Sequence, residues 1–191
     1  MTVLHRERVL RAATTSFLAH GYRSSVDEIA RRAGVAKQTV YHHFPNKDEL
    51  FKEVARDLAS RVLVELAAPG TDLRDGLRRF ALAYRQRSLG AQGISAFRTL
   101  VPEVPRFRAQ ARAMYTNSAG EMVRRLAEKL ERAMDSGELR RDDPRFAAEM
   151  LLSMLAGIDR MKKLFSVNDA GESEARRTGR IVDCFLRAYE K

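Results

Sequence analysis

Apolar residues recur at three- and four-residue intervals along nearly the whole chain, and no run alternates long enough to make a convincing strand. That period predicts an all-α protein. Val9, Ala13 and Phe17 share one face of a helix from about Leu4 to His20, which Gly21 closes. Val26, Ile29, Ala30 and Ala33 form the apolar face of a second helix, and Gly34 stands where a helix ends in left-handed backbone. A third restarts at once, with Val40 and Phe44 inward at i, i+4. Asn46 with Glu49 caps a fourth that carries Leu50, Phe51, Val54, Leu58, Val62 and Leu66 until Pro69-Gly70.

The pattern continues with less punctuation. Thr71 or Asp72 caps a helix bearing Leu73, Leu77, Phe80 and Tyr84; Gly90 and Gly93 then break the chain before a short helix with Phe97, Leu100 and Val101, stopped by Pro102. Pro105 suits the first turn of a long helix from Arg106 to Ser136, terminated by Gly137. Asp143-Pro144 opens the next, through about Phe165, and the last runs from Ser173 to Tyr189. The expectation is about nine helices, with no repeat and no flexible linker between domains.

The stretch SSVDEIARRAGVAKQTVYHHFPNK, Ser24 to Lys47, is the most informative. Ala30, Gly34 and Val40 have the spacing of a helix-turn-helix, in which a small residue lets two axes approach, a glycine turns the chain and a valine fills the gap. Ser25 with Glu28 is a capping box, so the first helix of the motif begins near Val26. A helix start flanked by hydroxyls also suits a phosphate, which makes Ser24 and Ser25 candidates for contacts to a nucleic-acid backbone.

With Val40 and Phe44 inward, Lys37, Gln38, Thr39, Tyr41 and His42 are left for the other faces of the second helix. Glutamine can pair bidentately with adenine, threonine can touch a thymine methyl, and lysine can reach guanine or a phosphate. Tyr41 and Lys47 fit the phosphate-gripping role, which positions a protein without reading sequence.

On these residues the chain resembles the tetracycline-repressor (TetR) family of bacterial transcription regulators, whose amino-terminal signature IARRAGV, TVYHHF and PNKDEL match nearly throughout. The resemblance implies phosphate contacts from Ser24 or Ser25, Tyr41 and Lys47, and base or near-base contacts from Lys37, Gln38, Thr39 and His42. Gln38 departs from the glycine often found there, which adds a side chain able to read a base. It further implies a three-helix DNA-binding domain over residues 1–46, then a larger helical ligand-binding and dimerisation domain over 47–191. Beyond the motif the likeness lies only in size, helical character and the GELRRDDP link, so ligand identity does not transfer.

Charge agrees. The chain carries a formal +10, and up to Pro45 seven arginines and lysines face three acids, with all four histidines in that segment. Such an excess favours polyanions, although it does not by itself separate DNA from RNA or an anionic membrane. No apolar run approaches the ~20 residues of a membrane span. The segment HRERVLRAATTSF reads as an amphipathic helix and not a signal peptide, so a cytoplasmic location is expected. The single cysteine, Cys184, permits no internal disulfide and no metal cluster, and its stripe with Ile181, Phe185 and Leu186 predicts a packing role. No metal and no cofactor are expected.

The last two helices look like an association surface. Phe146, Met150, Met154, Ile158 and Phe165 on one, and Ile181, Val182, Phe185 and Tyr189 on the other, exceed what a terminal hairpin needs for itself, and Gly157 allows close approach. The resemblance implies a four-helix bundle between two subunits. A twofold homodimer would set two recognition helices into successive major grooves, about 34–36 Å apart or at a related multiple, on a palindromic operator. Phe80, Tyr84, Phe97, Met114, Tyr115, Met122, Met150 and Met154 can line a cavity for an apolar or aromatic effector, with Asn117 and Ser118 to orient a polar group and Arg98 to pair with a carboxylate.

The reading is a regulator, a repressor released when a small molecule moves the long middle helix against the helix leaving the DNA-binding domain. The alternative is a non-specific architectural DNA-binding protein with no effector. An enzyme is not expected: no Gly-rich phosphate loop, nucleophile elbow or HExxH run is present, and the adjacent His42 and His43 diverge by about 100° on a helix.

Overall fold

The computed structural model describes residues 2–67, 72–167 and 171–190. Its helices are α1 (Thr2–His20), α2 (Val26–Ala33), α3 (Lys37–His43), α4 (Lys47–Ala67), α5 (Leu73–Leu89), α6 (Ala91–Leu100), α7 (Arg108–Tyr115), α8 (Glu121–Asp135), α9 (Pro144–Leu164) and α10 (Glu174–Ala188). Short 3-10 turns follow α1 and α6, and a π turn, Thr116–Gly120, joins α7 to α8. With α7, the π turn and α8 counted as one helical segment, the described residues are all-α with nine helices and no strand.

Most boundaries follow from caps. The Ser25 hydroxyl accepts the Glu28 amide at 3.1 Å, the Asn46 side chain accepts Glu49 N–H at 2.9 Å, and Asp72 accepts Asp75 N–H at 2.7 Å. Asp143 accepts from both Arg145 and Phe146 ahead of Pro144, and Ser173 accepts from Arg176. Each side chain satisfies amides that a helix start leaves without partners. The expected stops at Pro69-Gly70 and the cap at Thr71 lie outside the described residues.

Two expectations change. Gly93 does not break the chain: α6 begins at Ala91, and Gly93 sits in its first turn because any β-carbon there would collide with the Arg87 and Ser88 carbonyl groups. The long helix begins at Arg108, since the Arg106 and Phe107 amides both donate to the Glu103 carbonyl at 3.0 Å and keep the chain turning. It is also interrupted by the π turn, where the Asn117 amide donates to Ala113 C=O at 2.8 Å and the Ser118 hydroxyl to Met114 C=O at 2.6 Å. Polar side chains that bond back to carbonyls one turn earlier compete with regular helix.

The residues form two compact units, Met1–Leu58 with Ser95–Ser118, and Ala59–Ile94 with Ala119–Lys191. The first is built round α1, α2, α3 and the start of α4, with Val9, Phe17, Ile29, Val40, Leu50 and Val54 almost wholly buried. Phe17 meets Phe51 edge-on at 4.9 Å between ring centres, a favoured aromatic arrangement.

The second packs α5, α8, α9 and α10 with the end of α4 round Leu77, Phe80, Leu126, Leu151, Leu155 and Phe185. Arg85 is 1% exposed inside it. Its guanidinium donates to Asp159 and Glu174, both at 2.8 Å, and to the Leu155 carbonyl. Arg177 grips the same Asp159 at 2.6 and 2.8 Å. Burial works against the Asp159 carboxylate, but Arg177 and Arg85 together outweigh it and hold the carboxyl below the usual aspartate range.

The expected association face divides. Phe146, Met154, Ile158 and Phe165 on α9 are exposed, Met161 with them, and Met150 is partly buried. On α10, however, Val182, Phe185 and Tyr189 are buried in the unit's own core, and only Ile181 of that group remains partly open. Phe185 and Tyr189 pack together at 4.8 Å on the side of α10 that faces α5 and α9. Cys184 is exposed instead of packed, because it lies on the other side of that helix.

Candidate nucleic-acid interface

The turn between α2 and α3 is held from three sides. Gly34 has φ 63°, in the left-handed region where a side chain is strained, and its amide donates back to the end of α2. The Arg8 guanidinium, from α1, donates to the Gly34 carbonyl at 3.1 Å. Val40 and Phe44 are 1% and 4% exposed, which fixes the rotation of α3 and turns its polar side outward. Arg6 adds a charged clamp to Glu53 on α4 at 2.6 Å and lies over the Phe44 ring.

Gln38, Tyr41 and His42 are exposed on the outward side of α3, and Thr39 is partly buried at its margin. Lys37 is exposed too, with its ammonium 2.9 Å from Asp27 of α2, whose hydrogen bond, and then its charge, raise the lysine above its ordinary pKa. The rings of His42 and His43 lie 5.1 Å apart and nearly perpendicular. Partial burial lowers the His43 pKa, and the neighbouring His42, His5 and Arg6 add to the effect.

Ser25 is exposed at the start of α2, with its oxygen holding the first turn. Its partner in the expected capping box, Glu28, turns instead to Arg32 at 3.2 Å, so the reciprocal half of the box is replaced by an ion pair along α2. Ser24 does not share this surface. It is 4% exposed, and its hydroxyl donates inward to the Ser16 carbonyl at 2.9 Å and the Gly21 carbonyl at 3.0 Å. It braces α1 against the start of α2 and offers no hydroxyl to a phosphate.

Lys47 is partly buried, its ammonium 4.2 Å above the Tyr22 ring, and burial lowers its pKa while Asp48 and Glu103 oppose the shift. Tyr22 is the hub of this corner. Its hydroxyl donates to Asp48, its amide donates to Glu103 at 3.1 Å, and its ring packs on Phe51 and Phe107. Burial and the Asp48 carboxylate push the phenol up to about 12. Sequence patterns do not reveal this cluster, because Tyr22, Asp48 and the Glu103–Phe107 turn are tens of residues apart in the chain.

The ten proposed effector residues lie in different settings within the two units. Phe80 is core, stacked at 6.2 Å on Tyr84, while Met122 and Met150 pack against the same core and Met154 is exposed. In the first unit Met114 packs on the core, Phe97 and Tyr115 are 39% and 59% exposed, and Asn117 and Ser118 bond to their own helix. Asn117 alone of these borders an open cleft of about 630 Å³ between the start of α4 and the length of α7, with Arg108 and Arg112 on its wall.

A capped helix, a left-handed glycine turn and a second helix with its polar side outward define a DNA-binding transcriptional regulator. Residues 9–54 match the family of bacterial regulatory proteins described as the tetR family, and residues 75–191 match the carboxy-terminal domain of AefR-like transcriptional repressors. The chain belongs to the TetR family of bacterial transcriptional regulators.

It is 27% identical to the A-factor receptor protein of Streptomyces griseus, over 88% of this chain and 57% of that protein. An HTH-type transcriptional regulator of Mycobacterium bovis is 32% identical over 76% of this chain and 75% of its own. Among solved structures, a TetR-family regulator from Mesorhizobium loti superposes with a TM-score of 0.79 at 26% identity, covering 100% of this chain and 99% of that one. The flavonoid-responsive regulator FrrA superposes at 0.74 with 30% identity, covering 97% of each chain. Among the described residues no helix is long and apolar enough to cross a membrane.

Proposed function

We propose that the protein is a ligand-controlled repressor that binds a palindromic operator as a homodimer and leaves it when a small molecule binds. One observation carries the DNA-reading half: α3 buries Val40 and Phe44 and presents Gln38, Tyr41 and His42 outward, with Lys37 and Thr39 beside them. Gln38, Thr39, Lys37 and His42 are the base-reading set. Ser25, Tyr41 and Lys47 take phosphates, and Lys47 does so from a position restrained by Tyr22.

The exposed row on α9 supports the dimer. Phe146, Met154, Ile158, Met161 and Phe165 are 56%, 36%, 64%, 48% and 74% exposed, and a β-carbon at Gly157 would meet nothing. Large apolar side chains in line along one helix mark an interaction face. Homodimerisation through it would pair two α3 helices with two half-sites. The names of the A-factor receptor and the flavonoid-responsive regulator support control by a small molecule, and the AefR-like match supports repression. An effector acts only through its different affinities for two conformations, typically ~1–3 kcal/mol of coupling.

The test is selection of bound duplexes from a random pool at about 150 mM salt, where purely electrostatic binding is suppressed. A palindromic consensus is the expected outcome. Enrichment of no sequence, with binding recovered at low salt, would replace this reading with a non-specific architectural protein.

A further inference from the structure

We propose that the cleft between the start of α4 and the length of α7 is a binding site for an anionic amphiphile, a carboxylate with an aromatic or aliphatic body, and that its occupancy weakens DNA binding. The proposal rests on the regulator reading above for its second half only. The cleft holds about 630 Å³ and lies wholly within the first compact unit. That volume is in the range of small-molecule sites. Ala109 and Ala113 supply apolar wall over the nearly buried Phe51 ring, and Gln110 supplies an amide, while the Asn117 side chain at the rim is held by the Ala113 carbonyl and the Arg56 guanidinium.

Charge decides what fits. Arg108 and Arg112 are exposed on the same side of α7, one turn apart, a spacing that brings side chains within about 5–6 Å at their β-carbons. Neither has a carboxylate partner among the described residues. Asp48 is the acid on the lining, and both its oxygens already accept from neutral donors, the Tyr22 hydroxyl and the Gln110 amide, the latter at 3.4 Å.

Other clefts differ. The one of about 450 Å³ beside α10 also contains arginines, but two carboxylates, Glu172 and Asp183, share its lining, and Arg177 is tied to Asp159 and Arg180 to Glu172. Two guanidiniums over an apolar floor complement one carboxylate or sulfonate head on a hydrophobic body.

The route to DNA is short. A head group that takes the Gln110 amide removes a donor from Asp48, which then holds Tyr22 differently; Tyr22 also carries the amide contact to Glu103 and the ring under Lys47. These groups set the corner from which α2 begins.

The full-length protein is titrated with anilinonaphthalene sulfonate, an aromatic anion whose fluorescence rises on binding, and the probe is then displaced with naphthoate or its neutral isostere naphthamide. Naphthoate is expected to compete at roughly tenfold lower concentration than naphthamide. Arg108→Ala combined with Arg112→Ala removes that preference, whereas the paired Arg→Lys changes retain most of it. Wild-type operator binding weakens with naphthoate, and that of the double-alanine protein does not respond.

Equal competition by the two naphthalenes, or probe binding unchanged in the double-alanine variant, overturns the site. Naphthoate bound through these arginines with no change at the operator overturns its coupling to DNA. If the double-alanine change weakens operator binding without any probe and flattens its salt dependence, the two arginines serve DNA phosphates and the proposal falls. The pool selection judges the regulator reading separately.

Discussion

In the first compact unit the motif helix α3 has one apolar side, and that side is used up: Val40 and Phe44 are buried by the unit itself and the rest of the surface is polar. In the second unit α9 is apolar on two sides. Ala147, Leu151 and Leu155 are 0% exposed against α5, α8 and α10, while Phe146, Ile158 and Phe165 stand more than half exposed on the other. A helix that satisfies its hydrophobic demand internally is free to carry chemistry outward. One with surplus apolar area needs another surface. The units also treat charge differently. The first keeps Lys37 and its neighbours at the surface, and the second encloses Arg85 in an acid network that joins three helices.

Removing that enclosed cation is expected to do the most damage. Arg85→Ala withdraws a buried guanidinium from Asp159, Glu174 and the Leu155 carbonyl, at a cost of about 3–5 kcal/mol in chemical denaturation. Operator selectivity of the protein that remains folded should be unaltered. A loss under 1 kcal/mol would show the network to be ornamental.

Ile158→Asp places a charge on the open side of α9, where nothing within the unit is disturbed. Sedimentation should then show a shift from dimer to monomer, with association weakened by roughly 100-fold or more. An unchanged mass would remove α9 as the interface.

Gln38→Ala should relax preference at particular base positions by ~1–3 kcal/mol, seen as a broadened consensus in pool selection. Uniform weakening of all sequences would instead make Gln38 a backbone contact. Ser25→Ala deletes the cap of α2 and should lower stability by about 1 kcal/mol in the same denaturation assay.

Acid provides a comparison without large structural change. The folded-state pKa of Asp159 is depressed, so its contribution to stability is complete above the unfolded aspartate value near ~3.9 and is lost as pH falls through the lower folded value. Asp159→Asn should flatten the stability profile over that acid window and leave the slope near neutrality unaltered. An identical acid profile for the variant would assign the loss to other carboxylates.

Local punctuation made much of this structure readable in advance. Ser25, Asn46 and Asp72 each cap the helix expected of them, Asp143 and Ser173 cap helices that begin where expected, and Gly34 turns the motif where its spacing places it. Caps and turns depend on residues within four positions of one another, so one strand of sequence contains all that is needed. Apolar periodicity likewise marked Val9, Phe17, Val40 and Leu77 as residues with an inside.

Periodicity does not say which inside. Phe185 and Phe165 look alike as members of a helical stripe, yet one is wholly buried in its own unit and the other is 74% exposed. Cys184 and Ser24 went the opposite ways from their expected roles because neighbouring elements decide burial: the core lies against the other side of α10, and Ser24, in the link before α2, is covered by α1 and bonds to the Ser16 carbonyl. The Tyr22 corner, the Arg85 network and the cleft beside Arg108 arise from residues tens of positions apart.

The chain's local order thus suffices for an all-α fold, for the start and end of most helices and for the polar side of the recognition helix, because backbone amides and apolar spacing act over a turn or two. The assignment of α9 to an open face, the enclosure of Arg85 and the juxtaposition of α7 with the start of α4 depended on long-range packing, where burial of one surface is settled only by the shape of another.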